Sequence, residues 1–374
     1  MLRRVVSAVL ILCFLVPSAF SLPDVAGGPS VSAASAVLMD AETGRVLYAK
    51  DADERRLIAS TTKIMTALAA VSLLDIDAEY TVAPEDVRVE GSSMYLRAGD
   101  TLTVLELLRG LILSSGNDAA LALGGASGGV DVLVAEMNRL ASVFGMTNTS
   151  FANPHGLDHE NHYSTARDMA ILGVQATRNQ LVAELCASLS AAAMGRALIN
   201  HNRLLRTMPG CEGLKTGYTR RAGRCLVSTV VRDGRRLVAV TLNAPDDWRD
   251  HQALYHYGFT SYPLREIAVA GGPFADLPVV SGQREAVTLH VDREISLPLS
   301  QAEYGRLKVY QMTPVFVYAP VAAGRTAGQV RYELDGKTVA EATLYYGHTV
   351  AEEAPPRPKP SLWRRFIWWI RGDA

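Results

Sequence analysis

The chain has 374 residues, 48% hydrophobic and 20% charged, which describes a globular protein with room for two domains and excludes a disordered one. The formal net charge of −1 offers no general attraction to nucleic acid, and no such partner is expected. Six of the 37 basic residues are lysine (Lys50, Lys63, Lys215, Lys308, Lys337 and Lys359). The chain uses arginine wherever it needs only positive charge, so a lysine beside a hydroxyl calls for explanation, because lysine can give up its proton and arginine cannot.

Arg3 and Arg4, followed by the apolar run Val5 to Val16, read as an export signal too short to span a membrane. Small residues at Ala19 and Ser21 put cleavage after Ser21. The rest of the chain is then expected outside the cytoplasm, and an uncleaved anchor would leave that unchanged. Cys13 leaves with the signal. Cys186, Cys211 and Cys225 remain, an odd number that rules out a complete disulfide framework and leaves one bridge or three thiols open.

Ala36–Asp40 and Arg45–Ala49 are short strands around Glu42-Thr43-Gly44, a predicted hairpin. Ser60 then starts a helix marked by Ile64, Met65, Leu68 and Val71. Positions i and i+3 share a helix face, so Lys63 lies one turn above Ser60. A serine hydroxyl is a poor nucleophile until a base takes its proton, and a lysine with a lowered pKa is such a base. Thr103 caps a helix through Leu113, after which comes Ser115-Gly116-Asn117.

His155, His159 and His162 have spacing suited to zinc. Pro154 and Gly156 make this stretch a loop rather than a ligand-aligning helix, so it is read as a loop lining a site, with no metal and no cofactor. Ser164-Thr165 caps the next helix. His201 is read as an orienting or packing histidine rather than an acid or base. Lys215-Thr216-Gly217-Tyr218 forms a strand edge, and Cys225–Val231 and Arg235–Leu242 form a hairpin through Asp233-Gly234. Strands flanking a helical middle predict an antiparallel sheet of about five strands covered by helices, an α+β arrangement.

Beyond Tyr262-Pro263 the pattern becomes one of short alternating strands near 279–280, 286–291, 307–310, 315–318, 330–333 and 342–345, a small all-β domain. A proline-rich linker, Ala354 to Pro360, leads to Ser361–Arg371, which carries three of the four tryptophans. Leu362, Trp363, Phe366, Ile367, Trp369 and Ile370 would share one side of a helix, with Arg364, Arg365 and Arg371 largely off it. That pattern predicts an in-plane membrane anchor. The expected division is 1–21 signal peptide, 22–262 first domain, 263–352 β-rich domain, 353–360 linker and 361–374 anchor helix.

Ser60-x-x-Lys63, Ser115-x-Asn117 and Lys215-Thr216-Gly217, in that order, match the signature of penicillin-binding proteins and class A β-lactamases. With Asn153–Asp158 and Lys215–Thr219 added, nearly the whole chain resembles the D-alanyl-D-alanine carboxypeptidases, low-molecular-mass penicillin-binding proteins that act as serine peptidases. Asn243–Trp248 is similar to members from endospore-forming bacteria. The resemblance implies a penicillin-binding, β-lactamase-like catalytic domain. It implies Ser60 as nucleophile, Lys63 as base and Ser115 as proton relay to the leaving amine. Asn117 would hold substrate or Lys63. Lys215 would keep Lys63 neutral, Thr216 would bind the free carboxylate, and Gly217-Tyr218 would line the site, with the backbone N–H groups of Ser60 and Tyr218 as oxyanion hole. Arg220 and Arg249 are candidates to assist at the carboxylate. The implied partners are peptidoglycan stem peptides ending in D-Ala-D-Ala, β-lactams as inhibitors, and a membrane surface. A D,D-endopeptidase shares the motifs, but the two-domain layout favours the carboxypeptidase. A class A β-lactamase needs a Glu-x-x-x-Asn arrangement between the second and third motifs that the sequence lacks. A catalytically dead penicillin sensor would not need every motif residue present here.

Overall fold

The structure is a computed structural model that describes residues 28–354 and Trp363. The expected signal peptide, most of the linker and all of the expected anchor helix except Trp363 lie outside the described residues. The chain forms two compact units. One runs to Arg265 and also takes in Leu297–Arg306; the other holds Glu266–Ser296 and the described residues from Leu307 onward.

The first unit opens with the expected hairpin, β1 (Ser35–Asp40) and β2 (Val46–Lys50). Its turn is closed by Asp40, whose carboxylate accepts from the backbone and hydroxyl of Thr43. A 3-10 turn, Ala59–Thr62, leads into α1 (Lys63–Leu73). Ser60 therefore sits in a tighter turn ahead of the helix rather than in its first α-helical residue. There the Thr61 N–H reaches back only three residues, to the Ile58 carbonyl. The ribbon β3 (Glu79–Thr81) and β4 (Thr101–Thr103) precedes α2 (Val104–Leu113), whose predicted Thr103 cap forms a full capping box with Glu106.

Next come α3 (Asn117–Ala126), α4 (Val130–Val143), α5 (Ala166–Arg178), capped by Thr165, and α6 (Gln180–Ala187). A second ribbon, β5 (Ser190–Ala193) and β6 (Arg196–Ile199), and the one-turn helix α7 (Leu204–Thr207) lead to the long strands β7 (Cys211–Thr219), β8 (Gly223–Arg232) and β9 (Arg235–Leu242). Helix α8 (Asp247–Ser261) follows.

The main sheet has five antiparallel strands in the order β2-β1-β9-β8-β7. Side chains alternate across it with period two. Val37, Met39, Val227, Val238 and Val240 face one way, into a core with Ile64, Leu107, Leu111 and Leu172 from the helices. Ala36, Leu38, Leu226, Leu237 and Ala239 face the other, beneath Leu254 and Tyr255 of α8. The residues of α1 from Lys63 to Ala70 are all buried, so this helix is central rather than amphipathic.

The remaining elements are β10 (Leu264–Ala268), β11 (Pro273–Val280), β12 (Ala286–Val291), β13 (Ile295–Pro298), α9 (Gln301–Tyr304), β14 (Lys308–Met312), β15 (Val317–Tyr318), β16 (Thr326–Leu334) and β17 (Lys337–Tyr346). Six of them build the sheet of the second unit, in the order β14-β16-β17-β12-β11-β15, with only β11 and β15 parallel. Val287, Leu289, Val330, Leu334 and Leu344 supply its buried side. The predicted strands thus form, and the second unit is the expected all-β domain.

Candidate active site

The three motifs, more than 150 residues apart from first to last, meet at one cleft of about 310 Å³. Ser60, Ser115, Thr216, Gly217 and Tyr218 line it. Ser60 is half-buried at the 3-10 turn, and the residue before it, Ala59, takes a left-handed φ of 47°. Ser115 also sits at positive φ, 56°, between α2 and α3. Both are non-glycine residues in a conformation that the surroundings must hold.

Lys63 is fully buried, and its Nζ has three partners. These are Ser60 Oγ at 2.9 Å, Asn117 Oδ1 at 2.7 Å and the His155 carbonyl at 2.7 Å. The Asn117 amide is oriented by its other end, where Nδ2 donates to the Glu90 carbonyl at 2.6 Å. Burial pushes the Lys63 amine well below an ordinary lysine pKa, and the Lys215 charge pushes it further, against an opposing pull from Asp118. Lys215 is buried as well, donates to the Thr216 carbonyl at 3.0 Å, and is lowered by burial to about 8. A buried amine whose pKa is lowered by burial and by a neighbouring lysine suits the part of a neutral base.

Strand β7 is the edge of the sheet, and at Gly217 it runs directly against the Ser60 turn. A Cβ there would stand 2.9 Å from the Ser60 nitrogen and 3.0 Å from the Thr61 nitrogen, so only a residue without a side chain allows the approach. Tyr218 is 66% exposed and forms part of the wall.

A peptidase S11 family model, described as D-alanyl-D-alanine carboxypeptidase, matches residues 23–246. The chain belongs to this family. The C-terminal domain model of penicillin-binding protein 5 matches residues 262–352. This carboxypeptidase is 31% identical to D-alanyl-D-alanine carboxypeptidase DacF of Bacillus subtilis, over 92% of this chain and 93% of that one. It is 30% identical to DacC of Escherichia coli, over 94% and 92%. Among solved structures, penicillin binding protein 5 from Haemophilus influenzae superposes with a TM-score of 0.69 at 31% identity, covering 88% of this chain and all of that one.

Sequence reasoning missed two features of the carboxypeptidase site. The first is Asp118, buried at the start of α3. It accepts from the backbone of Met94 and Leu96 and from the Ser93 hydroxyl, and so ties down the loop that brings Ser92 to the cleft. Its only sequence signal is an acid in the first turn of a helix. The second is the cleft wall of Arg224, Asp247 and Trp248. Arg224 donates twice to Asp247 Oδ1, at 2.8 and 3.0 Å, and lies over the Trp248 ring, 5.4 Å from its centroid. Arg220 and Arg249 are exposed and do not line the cleft. Arg224 stands across from Tyr218 in the β7–β8 register, a neighbour that spacing along the chain does not announce. His201 borders the cleft.

The loop from Asn153 to His162 brings the His155 carbonyl to the Lys63 amine, but its residues are not among those lining the cleft. The Nδ1 atoms of His155, His159 and His162 each accept from a backbone N–H, those of Leu157, Asn161 and Ala152. Among the described residues no three such ligands gather to hold a metal. Cys186, Cys211 and Cys225 are free thiols.

Proposed function

We propose that this D-alanyl-D-alanine carboxypeptidase works through an acyl-enzyme on Ser60, with Lys63 as the base. The observation that carries this is the set of partners of the Lys63 amine. Two of the three, Asn117 Oδ1 and the His155 carbonyl, can only accept. A neutral amine spends its two protons on them and keeps its lone pair for the Ser60 hydroxyl at 2.9 Å. Ser60 Oγ attacks the carbonyl carbon between the two D-alanines of a stem peptide, and its proton passes to Lys63. The N–H groups of Ser60 and Tyr218 receive the oxyanion. As the C–N bond breaks, Ser115 relays a proton to the departing D-alanine amine, and water then hydrolyses the ester. Lys215 keeps Lys63 neutral and, with Thr216, attracts the substrate carboxylate. Arg224, carried on a carboxylate and a tryptophan, takes the assisting role at that group. β-Lactams acylate Ser60 by the same attack. The test is release of D-alanine from a peptide ending in D-Ala-D-Ala by the mature protein beside Ser60→Ala; equal release would remove the assignment.

The protein is further proposed to be exported and held at the outer face of the cytoplasmic membrane by the segment from Ser361 onward. Support comes from the Arg3-Arg4 and Val5 to Val16 leader pattern and from the tryptophan- and arginine-rich tail. Removing Ser361 onward is expected to release the protein from membranes while turnover of a small peptide persists. Continued sedimentation with membranes would overturn the anchor.

A further inference from the structure

His162 is 1% exposed and packs edge-on against Phe151, ring centroids 5.7 Å apart. An apolar side chain would fill such a place at lower cost, since burying a polar ring requires that both nitrogens be satisfied. Both are. The Ala152 N–H points at Nδ1 from 3.1 Å, so Nδ1 must accept and the ring proton sits on Nε2. Nε2 therefore donates to Thr62 Oγ1 at 2.8 Å. The Thr62 hydroxyl, its oxygen occupied in this way, turns its own proton to the Ala59 carbonyl at 2.8 Å. This relay ends on the left-handed residue next to Ser60.

The same loop braces that carbonyl from the other side. A Cβ on Gly156 would stand 2.1 Å from the Ala59 oxygen and 2.9 Å from Thr62 Oγ1. The loop also holds the catalytic helix through Pro154, whose carbonyl accepts from Thr66 at 2.6 Å, and the end of β7 through Asp158, which accepts from Thr219 at 2.8 Å. A strained residue persists only where its surroundings over-determine it, and here this loop and the close pass of β7 at Gly217 both bear on the turn.

We propose that His162 is a positioning residue: as the Nε2-protonated tautomer it fixes the Thr62 hydroxyl, through it the Ala59 carbonyl, and so the direction of the Ser60 hydroxyl and N–H during attack. This rests on the reading of Ser60 as nucleophile. It assigns the third histidine of the loop a task that neither metal binding nor proton transfer explains.

The test is acylation of the full-length protein by a fluorescent penicillin, with the saturating rate constant separated from the half-saturating concentration, and thermal unfolding measured alongside. His162→Ala is expected to lower the saturating rate about 10- to 100-fold with little change in half-saturation, the size of effect a small misplacement of reacting groups produces. His162→Gln, which can still donate to Thr62, is expected to restore most of the rate. Thr62→Val should match His162→Ala, and the double variant should be no slower than either single one. Unchanged rates in folded His162→Ala and Thr62→Val, or a Gln variant as slow as the Ala variant, would overturn the proposal. If His162→Ala does not fold, Thr62→Val decides alone. Wild-type protein that takes no label at Ser60 would sink the parent reading instead, which keeps the two failures apart.

Discussion

At the scale of single residues, the proposed reaction depends on two lysines in opposite protonation states. Lys63 must be neutral to accept the Ser60 proton, so acylation is lost as pH falls through its depressed pKa. Lys215 must stay charged, so acylation is lost as pH rises through about 8. The pH–rate profile is therefore expected to be bell-shaped. Lys215→Gln removes a cation that depresses Lys63, so the acid limb should move to higher pH; an unmoved limb in a folded variant would show that the two amines do not communicate. Lys63→Arg places a group that cannot deprotonate and is expected to cut acylation by about 10²–10⁴-fold. Arg224→Ala should lower kcat/KM for a peptide with a free carboxylate by about 10- to 100-fold, in line with a lost charged hydrogen bond. It should have little effect on the same peptide amidated at its C-terminus, and an equal loss on both would deny Arg224 the carboxylate.

At the scale of elements, the site is a junction between an edge strand and a helix start. The close pass of β7 at Gly217 brings its backbone to the Ser60 turn, which is where two N–H groups from different elements can converge on one oxygen. Gly217→Ala is expected to push strand and turn apart and slow acylation by about tenfold or more, with the protein still folded by circular dichroism. Away from the site, the Thr103 and Glu106 capping box satisfies the first turn of α2. Thr103→Ala should cost about 1 kcal/mol in urea unfolding and leave acylation alone. The helix caps and both glycine-turn hairpins follow from local chemistry, so they were legible in the chain. The 3-10 turn at Ala59–Thr62 was not, because Gly156 and His162, which press on Ala59 and Thr62, come from a loop about a hundred residues further along the chain.

At the scale of the whole molecule, the first unit buries neutral histidines on both faces of its sheet. His251 lies between Ser228 and Thr241, at 2.6 and 3.0 Å, and burial lowers it to about 3. His162 is likewise lowered to about 3, by burial first and then by His155, His159 and Lys63. An unfolded histidine titrates near 6.5, so between pH 6.5 and about 3 the unfolded chain binds more protons. The stability these groups contribute is complete above pH 6.5 and declines as pH falls toward their folded pKa values, each by up to about 1.4 kcal/mol per pH unit. Denaturation midpoints measured from pH 7 to pH 4 should fall, and His251→Gln should flatten the slope. An unchanged slope would mean that the imidazole is not buried neutral.

The sequence alone pointed to Ser60 and Lys63 as the proposed nucleophile and base, because a spacing of three residues in a helical turn is a local matter. It also placed the two hairpins of the main sheet, the helices after Thr103 and Thr165 and the short strands of the second unit, since apolar periodicity and turn residues act over a few positions. Only the tertiary structure decided which arginine faces the cleft, what becomes of the three loop histidines, and how Asp118 pins the loop beside Ser92. Each of these depends on partners far off in the chain, Arg224 with Asp247 and His162 with Thr62, and pairings across such distances are set by packing rather than by any spacing a single sequence displays.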